Sequence, residues 1–272
     1  MSTPLLQIEG LGLDVPDLNG AGRKAPWRTI LNDIGFSLER GSALGVIGES
    51  GSGKSSLARA LTLLMPPQRG SIRFDAREVS ALSGAELIAY RARVQLVFQD
   101  PMSALNPRRR VGQSIVRPVQ ALRRQQGGAR LDALAASLLE RVGLSPSLAG
   151  RYPHELSGGQ RQRVNIARAL SLEPEVLIAD EVTSGLDVSA QARIVALLES
   201  LRRETGLSLI FISHDLSLVR SLCDDLLILR AGEVVESAPA DRVFAAPAHS
   251  YTRDLLAAIP LPDPEVGWLD RV

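Results

Sequence analysis

The sequence is poor in cysteine and in aromatic residues, and it has no long apolar run. Cys223 is the only cysteine among 272 residues, which excludes an intramolecular disulfide and a metal site built from several cysteines. Aromatic residues make up 4% of the chain. No apolar segment approaches the roughly 20 residues that cross a bilayer, and the N-terminus lacks the pattern of a secretory signal. We therefore expect a protein of a reducing compartment that reaches any membrane through partners.

An excess of charge of one sign is also missing. Lysine and arginine number 31 and aspartate and glutamate number 30, so the net charge is +1. Chains that bind nucleic acid usually carry a strong basic field, so this balance argues against a nucleic-acid partner. The apolar fraction of 45% and the charged fraction of 22% are ordinary for a globular protein that buries a core.

Short apolar segments and helical patterns follow one another along the chain. Buried strands are predicted at residues 43–47, 94–98, 176–179 and 209–212. Helices are predicted at Ser55–Leu64 and at about Ser189–Glu204, and the order of strand, helix and strand predicts a parallel sheet with crossover helices. Leucines at helical spacing between residues 131 and 139 indicate a helical insertion between the second and third of these strands. Residues 226–235 are predicted to form a hairpin.

Residues 48–55 (GESGSGKS) match the phosphate-binding loop G-x-x-x-x-G-K-[ST] between a predicted strand and a predicted helix. Glycines let backbone N–H groups close around phosphates, and the helix N-terminus adds a favourable dipole. Lys54 is expected to contact the β- and γ-phosphates, and Ser55 to ligate magnesium. A chance glycine turn before a helix is the alternative, and the strand–loop–helix context argues against it. The predicted nucleotide contacts are Gly48, Ser50, Gly51, Ser52, Gly53, Lys54, Ser55 and Ser56.

Two carboxylates, Asp180 and Glu181, follow the predicted strand at 176–179. We expect this strand to neighbour the one that leads into the phosphate loop, so that an acidic residue at its end reaches the magnesium ion directly or through water. Asp180 would then serve the metal, and Glu181 would orient and polarise the attacking water. The alternative is that the two carboxylates simply form a solvated strand end. The presence of the phosphate loop makes this the weaker interpretation.

The segment 156–160 (LSGGQ), together with the QRQRV that begins at its last residue, resembles the signature motif of ABC ATPases. Members of that family also have motifs that match Gln99 after a strand, 184–187 (SGLD) after the catalytic glutamate, and His214 at the end of a later strand. All of these motifs occur once, in the family's order, and they cover essentially the whole chain.

The resemblance implies an α/β fold class with a P-loop ABC ATPase core. That core has a mainly parallel sheet, an N-terminal antiparallel β subdomain and a helical subdomain insertion. It also implies one nucleotide-binding domain over residues 1–272. The core would span about 1–99 and 171–240, the helical subdomain about 100–170, and a C-terminal tail about 241–272.

The signature residues also suit a phosphate site. Ser157 has a hydroxyl to donate, and Gly158 and Gly159 permit close backbone approach at the start of a helix predicted to begin near Gln160. By resemblance, Ser157, Gly158, Gly159 and Gln160 would close over the ATP of a second subunit. A flexible serine-glycine hinge is the alternative, and the other motifs argue against it.

Three further roles rest on the resemblance. Gln99 would sense the γ-phosphate and ligate magnesium, and His214 would contact the γ-phosphate and help to position the water. Trp27 would be the aromatic residue that stacks on adenine. The alternatives are a structural or surface histidine and an exposed loop tryptophan.

Four segments narrow the resemblance to ATPases of the oligopeptide, dipeptide and nickel importers. They are 98–107 (FQDPMSALNP), 152–155 (YPHE), 186–191 (LDVSAQ) and 249–256 (HSYTRDLL). This implies an ATP-binding and ATP-hydrolysing subunit, with ATP and Mg²⁺ bound, that energises uptake of peptides or of nickel or metal-chelate solutes. Residues 101–111 would lie near the groove that receives a permease's coupling helix.

The same resemblance implies the partners and the location. The partners would be a second ABC ATPase subunit, either a paralogue or a copy of itself, and two integral-membrane permeases. An extracytoplasmic solute-binding protein would take part indirectly. The chain would be peripheral, on the cytoplasmic face of the bacterial inner membrane.

The chain departs from the family pattern at three points. Val182 stands where the family typically has proline, and Gly185 replaces the usual alanine. Many members of the subfamily hold an iron–sulfur cluster on C-terminal cysteines. Cys223 alone cannot bind one, so we expect no such cluster.

The main alternative function is a non-transport ABC ATPase that acts on nucleic acid or ribosomes. Such chains generally carry a long coiled-coil insertion or two tandem ATPase domains, whereas this sequence has one set of motifs and no sustained heptads. Two further alternatives are an exporter and a small-molecule kinase. An exporter usually fuses its membrane segment to the ATPase. A small-molecule kinase would give the signature segment no role.

Overall fold

The computed structural model describes residues 3–16, 27–123 and 128–258. The last part of the predicted tail, residues 259–272, lies outside the described residues. The strands of the described part are β1 (Leu6–Pro16), β2 (Trp27–Leu38), β3 (Ala43–Ile47), β4 (Arg69–Phe74), β5 (Arg77–Glu78), β6 (Val94–Val97), β7 (Val176–Asp180), β8 (Ser208–Ile212), β9 (Asp225–Arg230) and β10 (Glu233–Pro239).

Helices connect most of the strands and make up the insertion between β6 and β7. They are α1 (Lys54–Leu61), α2 (Gly84–Arg93), α3 (Pro101–Ala104), α4 (Val111–Arg123), α5 (Ala129–Arg141), α6 (Gly158–Leu170), α7 (Val188–Thr205), α8 (Leu216–Leu222), α9 (Ala240–Ala245) and α10 (Ser250–Ala257). None of the helices in the described ranges combines the length and the apolarity that crossing a membrane requires.

The larger sheet has six strands in the order β10-β9-β3-β8-β7-β6. Pairing is parallel from β9 to β6, and β10 joins as an antiparallel edge strand through the predicted hairpin. The prediction that the acidic strand neighbours the strand of the phosphate loop is wrong, because β8 lies between β3 and β7. Apolar patterns identify buried strands, but they do not specify the order in which crossover connections place them.

Both faces of this sheet are buried, which explains the continuous apolar strands. Along β8, Leu209 and Phe211 belong to the cluster that includes α7, α8 and the helical insertion. Ile210 and Ile212 belong to the cluster that includes α1 and the N-terminal sheet. Alternate residues of one strand therefore pack into two different hydrophobic cores, one on each face of the sheet.

The smaller sheet is antiparallel, with four strands in the order β2-β1-β4-β5. It packs with α1 on one face of the larger sheet. The predicted α/β class, with a mainly parallel sheet, an N-terminal antiparallel sheet and a helical insertion, is thereby confirmed. The residue limits of the subdomains stay a prediction.

Candidate nucleotide-binding site

The phosphate loop connects β3 to α1, and steric contacts explain its glycines. A Cβ atom at Gly48 would lie 2.1 Å from the carbonyl oxygen of Leu229, so no side chain fits there. Gly53 has a φ of 106° at the N-cap of α1, a conformation that other residues rarely adopt. The first N–H groups of a helix have no acceptor within the helix. The start of α1 is therefore suited to receive an anion.

Lys54 is buried at the first position of α1 and folds back over the loop. Its Nζ donates to the carbonyl oxygens of Gly48 at 2.7 Å and of Glu49 at 2.8 Å. Burial lowers the pKa of the Lys54 ammonium, and the carboxylates of Glu181 and Asp180 oppose that shift. The ammonium is thus held beside the loop, where phosphate oxygens can replace its carbonyl acceptors.

Ser55, on α1 after β3, and Asp180, at the end of β7, come together although β8 lies between β3 and β7. The Ser55 hydroxyl donates to Asp180 Oδ1 at 3.1 Å. Burial raises the pKa of Asp180, while the Ser55 hydrogen bond opposes the shift. Among the described residues no group of three or more histidine, cysteine or acidic side chains is arranged to hold a metal. The pair of hard oxygen donors fits Mg²⁺, which usually takes few protein ligands and completes its shell with phosphates and water.

Glu181 turns sharply out of β7. Its φ of 47° is a strained conformation for a residue other than glycine, and its N–H donates to the carbonyl of Ile212 at 2.9 Å. Gln99 Nε2 donates to its carboxylate at 2.7 Å, and His214 Nδ1 lies 3.9 Å from its other oxygen. The fold therefore brings together the three residues predicted as catalytic, from three separate strand ends.

The cleft over the phosphate loop has a volume of about 380 Å³. It is lined by Arg28, Ile30, Ser50, Gly51, Gly53, Lys54, Ser55, Ser56, Gln99 and Glu181. Arg28 and Ile30, both on β2, were not predicted, because no motif marks them and only the packing of β2 beside the loop reveals them. Trp27 begins β2, is 67% exposed and does not line this cleft. Its stacking on adenine stays a prediction.

The signature segment forms the start of α6, which begins at Gly158 and thus two residues before the predicted start. Ser157 Oγ accepts from the Gln160 N–H at 3.3 Å, and Gln160 Oε1 accepts from the Ser157 N–H at 2.9 Å. This capping box moves the helix start toward Ser157. Because Ser157 Oγ is an acceptor in this box, its O–H can still donate a hydrogen bond to another group.

The signature lies in a cleft of its own. A Cβ at Gly158 would lie 3.3 Å from Leu186, and one at Gly159 would lie 3.3 Å from Ala190, so both glycines pack closely against the segment after Glu181. The cleft beside them has a volume of about 190 Å³ and shares no lining residue with the phosphate-loop cleft. One chain thus presents the N-termini of two helices, α1 and α6, in two separate clefts.

A lysine-bearing loop with a serine–aspartate pair and a glutamate at its open end is the arrangement of phosphate-loop enzymes that activate water. The site therefore belongs to the class of magnesium-dependent phosphate-loop ATPases. Membership of that class does not explain the second helix N-terminus, that of α6 in the signature cleft. A family model described as ABC transporter matches residues 31–184, and the chain belongs to the ABC transporter family.

Curated relatives of the chain are named as ATP-binding proteins of transport or import. The chain is 47% identical, over 99% of its length and 76% of the relative, to the probable peptide ABC transporter ATP-binding protein y4tS of Sinorhizobium fredii. It is 43% identical, over 97% of its length and 81% of the relative, to a putative peptide import ATP-binding protein of Brucella ovis. The glutathione import ATP-binding protein GsiA of Salmonella paratyphi A is 44% identical over 96% of this chain and 42% of GsiA.

Solved structures agree with the fold. The ATP-binding cassette MJ0796, as a dimer bound to ADP and Pi after hydrolysis, superposes with a TM-score of 0.76 at 26% identity, covering 86% of this chain and 98% of that one. CbiO1 of Clostridium perfringens, part of the ABC transporter complex cbiONQ, has a TM-score of 0.76 at 28% identity, covering 95% and 97%. The predicted ABC ATPase, with ATP and Mg²⁺ as its ligands, is confirmed. The relatives give no support to the alternative of an ATPase acting on nucleic acid or ribosomes.

Proposed function

We propose that this chain is the ATPase subunit of an importer for peptides or peptide-like solutes. The observation that carries the proposal is the identity of 47% over 99% of the chain to a probable peptide ABC transporter ATP-binding protein, supported by the peptide and glutathione import ATP-binding proteins. These names favour peptide cargo over the nickel or metal-chelate solutes that the sequence left open. The proposed location is the cytoplasmic face of the bacterial inner membrane, where the chain is peripheral.

In the proposed reaction, Lys54 binds the β- and γ-phosphates while Ser55, Asp180 and the Gln99 side-chain oxygen hold the metal. Bound Mg²⁺ neutralises phosphate charge. Glu181 accepts a proton from the water that attacks the γ-phosphorus in line, and the bond to the bridging oxygen of ADP breaks. His214, with its ring nitrogen 3.9 Å from Glu181, orients that water. Trp27 would stack on the adenine.

The second phosphate-receiving helix requires a second subunit. Ser157, Gly158, Gly159 and Gln160 of that subunit would close over the nucleotide held by this one, since the two clefts share none of the residues that the structure describes. The partner is either another copy or a paralogue. ATP favours the closed pair and ADP does not, so the cycle alternates two states of the membrane partner.

A groove between the core and the helical insertion supports docking of a permease helix. It has a volume of about 450 Å³, and its apolar lining residues include Leu64, Leu96 and Phe98. Among the described residues, its lining includes four arginines and no carboxylate. Arg91 and Arg168 are occupied by backbone carbonyls, whereas the guanidinium groups of Arg109 and Arg117 have no ion-pair partner among the described residues. The four arginines of the groove are Arg91, Arg109, Arg117 and Arg168.

We therefore expect the permease helix in this groove to present an apolar face and acidic side chains to Arg109 and Arg117. Two integral-membrane permeases would dock on the two ATPase subunits. An extracytoplasmic solute-binding protein would deliver the cargo to them.

Affinity purification of the tagged chain from detergent-solubilised membranes, followed by mass spectrometry, tests this function. Two permeases and an ATPase partner are expected. Arg109→Glu should reduce permease recovery at least severalfold, while Arg108→Glu, the same charge change at a neighbour outside the groove, should not. Recovery from the soluble fraction with ribosomal or DNA-associated companions would refute the transport function and leave the ATPase chemistry intact.

A further inference from the structure

The C-terminal helix α10 reaches the phosphate loop, although the nucleotide chemistry gives it no role. Tyr251, in the segment 249–256 of the sequence, is only 5% exposed. Its hydroxyl oxygen accepts a hydrogen bond from the backbone N–H of Glu49 at 3.0 Å. Glu49 is the second residue of the phosphate loop, so one side chain of the C-terminal region contacts the loop backbone directly.

The start of α10 is anchored by residues outside the loop. The Glu236 carboxylate on β10 accepts from the N–H groups of Ala248 at 2.8 Å and His249 at 3.0 Å. His249 Nδ1 accepts from the Tyr251 N–H at 3.1 Å and caps the helix. The Arg230 guanidinium lies 4.9 Å from the centre of the Tyr251 ring. Tyr251 is therefore held in place independently of the loop it contacts.

On the loop side, Glu49 is the residue that connects Tyr251 to the phosphate-binding groups. Its carbonyl oxygen accepts from Lys54 Nζ at 2.8 Å and from the Ser52 N–H at 3.1 Å. The carbonyl of Ser52 in turn accepts from the N–H of Gly232 at 3.0 Å, in the β9–β10 turn. Both peptide groups of Glu49 are thus engaged, one by α10 and the other by Lys54 and Ser52.

We propose that Tyr251 is a positioning residue for nucleotide binding. Its hydroxyl holds the Glu49 peptide, and through that peptide it keeps Lys54 and the loop N–H groups in the arrangement that receives phosphate. Pre-organisation of this kind raises affinity because less ordering remains to be done when the ligand binds. The inference goes beyond the proposed import function, since it concerns nucleotide affinity whatever solute is transported.

Tyr251→Phe tests the proposal, because it removes the hydroxyl and keeps the ring beneath Arg230. Titration calorimetry of the full chain with MgADP should show about fivefold weaker binding, the effect of one neutral hydrogen bond. In ATPase assays KM for ATP should rise by a similar factor, while kcat stays within about twofold. A role confined to folding would lower the thermal midpoint without this selective change in KM.

Tyr90→Phe is the matched control. Tyr90 is also buried, and its hydroxyl donates to the carbonyl of Leu61 at the far end of α1, at 2.5 Å. This variant should lose thermal stability and keep the MgADP affinity. Glu236→Gln, which weakens the anchor of α10, should shift the affinity in the same direction as Tyr251→Phe. Unchanged MgADP affinity in Tyr251→Phe, with a loss of thermal stability equal to that of the control, would overturn the proposal.

Discussion

At the scale of single residues, the site depends on Glu181, whose strained backbone directs its carboxylate toward Gln99 and His214. A strained conformation in a strand end costs folding free energy, and packing of the surrounding structure maintains it. Val182, the next residue, is buried and packs in the hydrophobic core, which helps to hold the turn in place.

Glu181→Gln should lower kcat by about 10²- to 10⁴-fold, because the amide cannot accept a proton from water. MgADP affinity should stay within about twofold of wild type, since the phosphates contact the loop rather than this side chain. Steady-state ATPase assays and calorimetry measure the two effects. Normal turnover in this variant would contradict the assignment of Glu181 as general base.

At the scale of elements, charged side chains connect the N-terminal sheet to the core. Glu175, which precedes β7, pairs with Arg93 at the end of α2 and with Arg40 after β2 at 2.9 Å. Asp75, after β4, pairs with the same two arginines. The hydrogen bond from Arg93 lowers the pKa of Glu175, with a smaller contribution from Arg40, while burial opposes the shift.

Glu175→Gln should therefore destabilise the fold at neutral pH by about 1 kcal/mol, the upper range for partly exposed ion pairs. A carboxyl whose folded pKa is lowered stabilises the protein above its unfolded pKa of about 4.3, and this stabilisation is lost as pH falls through the folded pKa. Urea denaturation at neutral and acid pH should show the difference from wild type shrinking at acid pH. The exposed Glu140→Gln serves as control, and a difference that does not change with pH would contradict the ionic explanation.

At the scale of the whole molecule, the phosphate loop and the signature segment lie in two separate clefts, so in the proposed mechanism one chain holds only half of each complete nucleotide site. In that mechanism the N-terminus of α6, capped by Ser157, receives a partner's phosphate, and Gly158 and Gly159 add no side chain between them. In the proposed cycle the nucleotide controls closure between subunits, and the arginine groove transmits that closure to the membrane subunits.

Glu181→Gln with MgATP should elute from size exclusion at twice the mass of the monomer if the chain pairs with itself. Adding Gly158→Asp should abolish that dimer, because a carboxylate would face the partner's phosphates. Aspartate in the first turn stabilises a helix, which offsets the tight approach of its Cβ to Leu186 at 3.3 Å, so folding and MgADP affinity should persist. Gly150→Asp, in open space, is the control. A protein that remains monomeric with MgATP would contradict self-pairing and require a paralogue.

The local motifs could be predicted from the sequence because their chemistry is contiguous. Residues 48–55 carry the loop glycines, the lysine and the serine in one segment, and the strand and helix on either side were also predicted. The signature segment was likewise identified, although its capping box placed the helix start two residues earlier than expected. The individual roles of these residues stay predictions until the variants are measured.

The sequence by itself determined the class of protein, because its motifs specify the phosphate-binding chemistry in short stretches of chain. Only the tertiary structure decided how distant segments meet. Strand order places β8 between β3 and β7, yet Asp180 still reaches Ser55. The contact of Tyr251 with Glu49 spans 202 residues and has no local signal. Long-range contacts of this kind depend on crossover connections and packing, which periodicity and spacing along the chain do not specify.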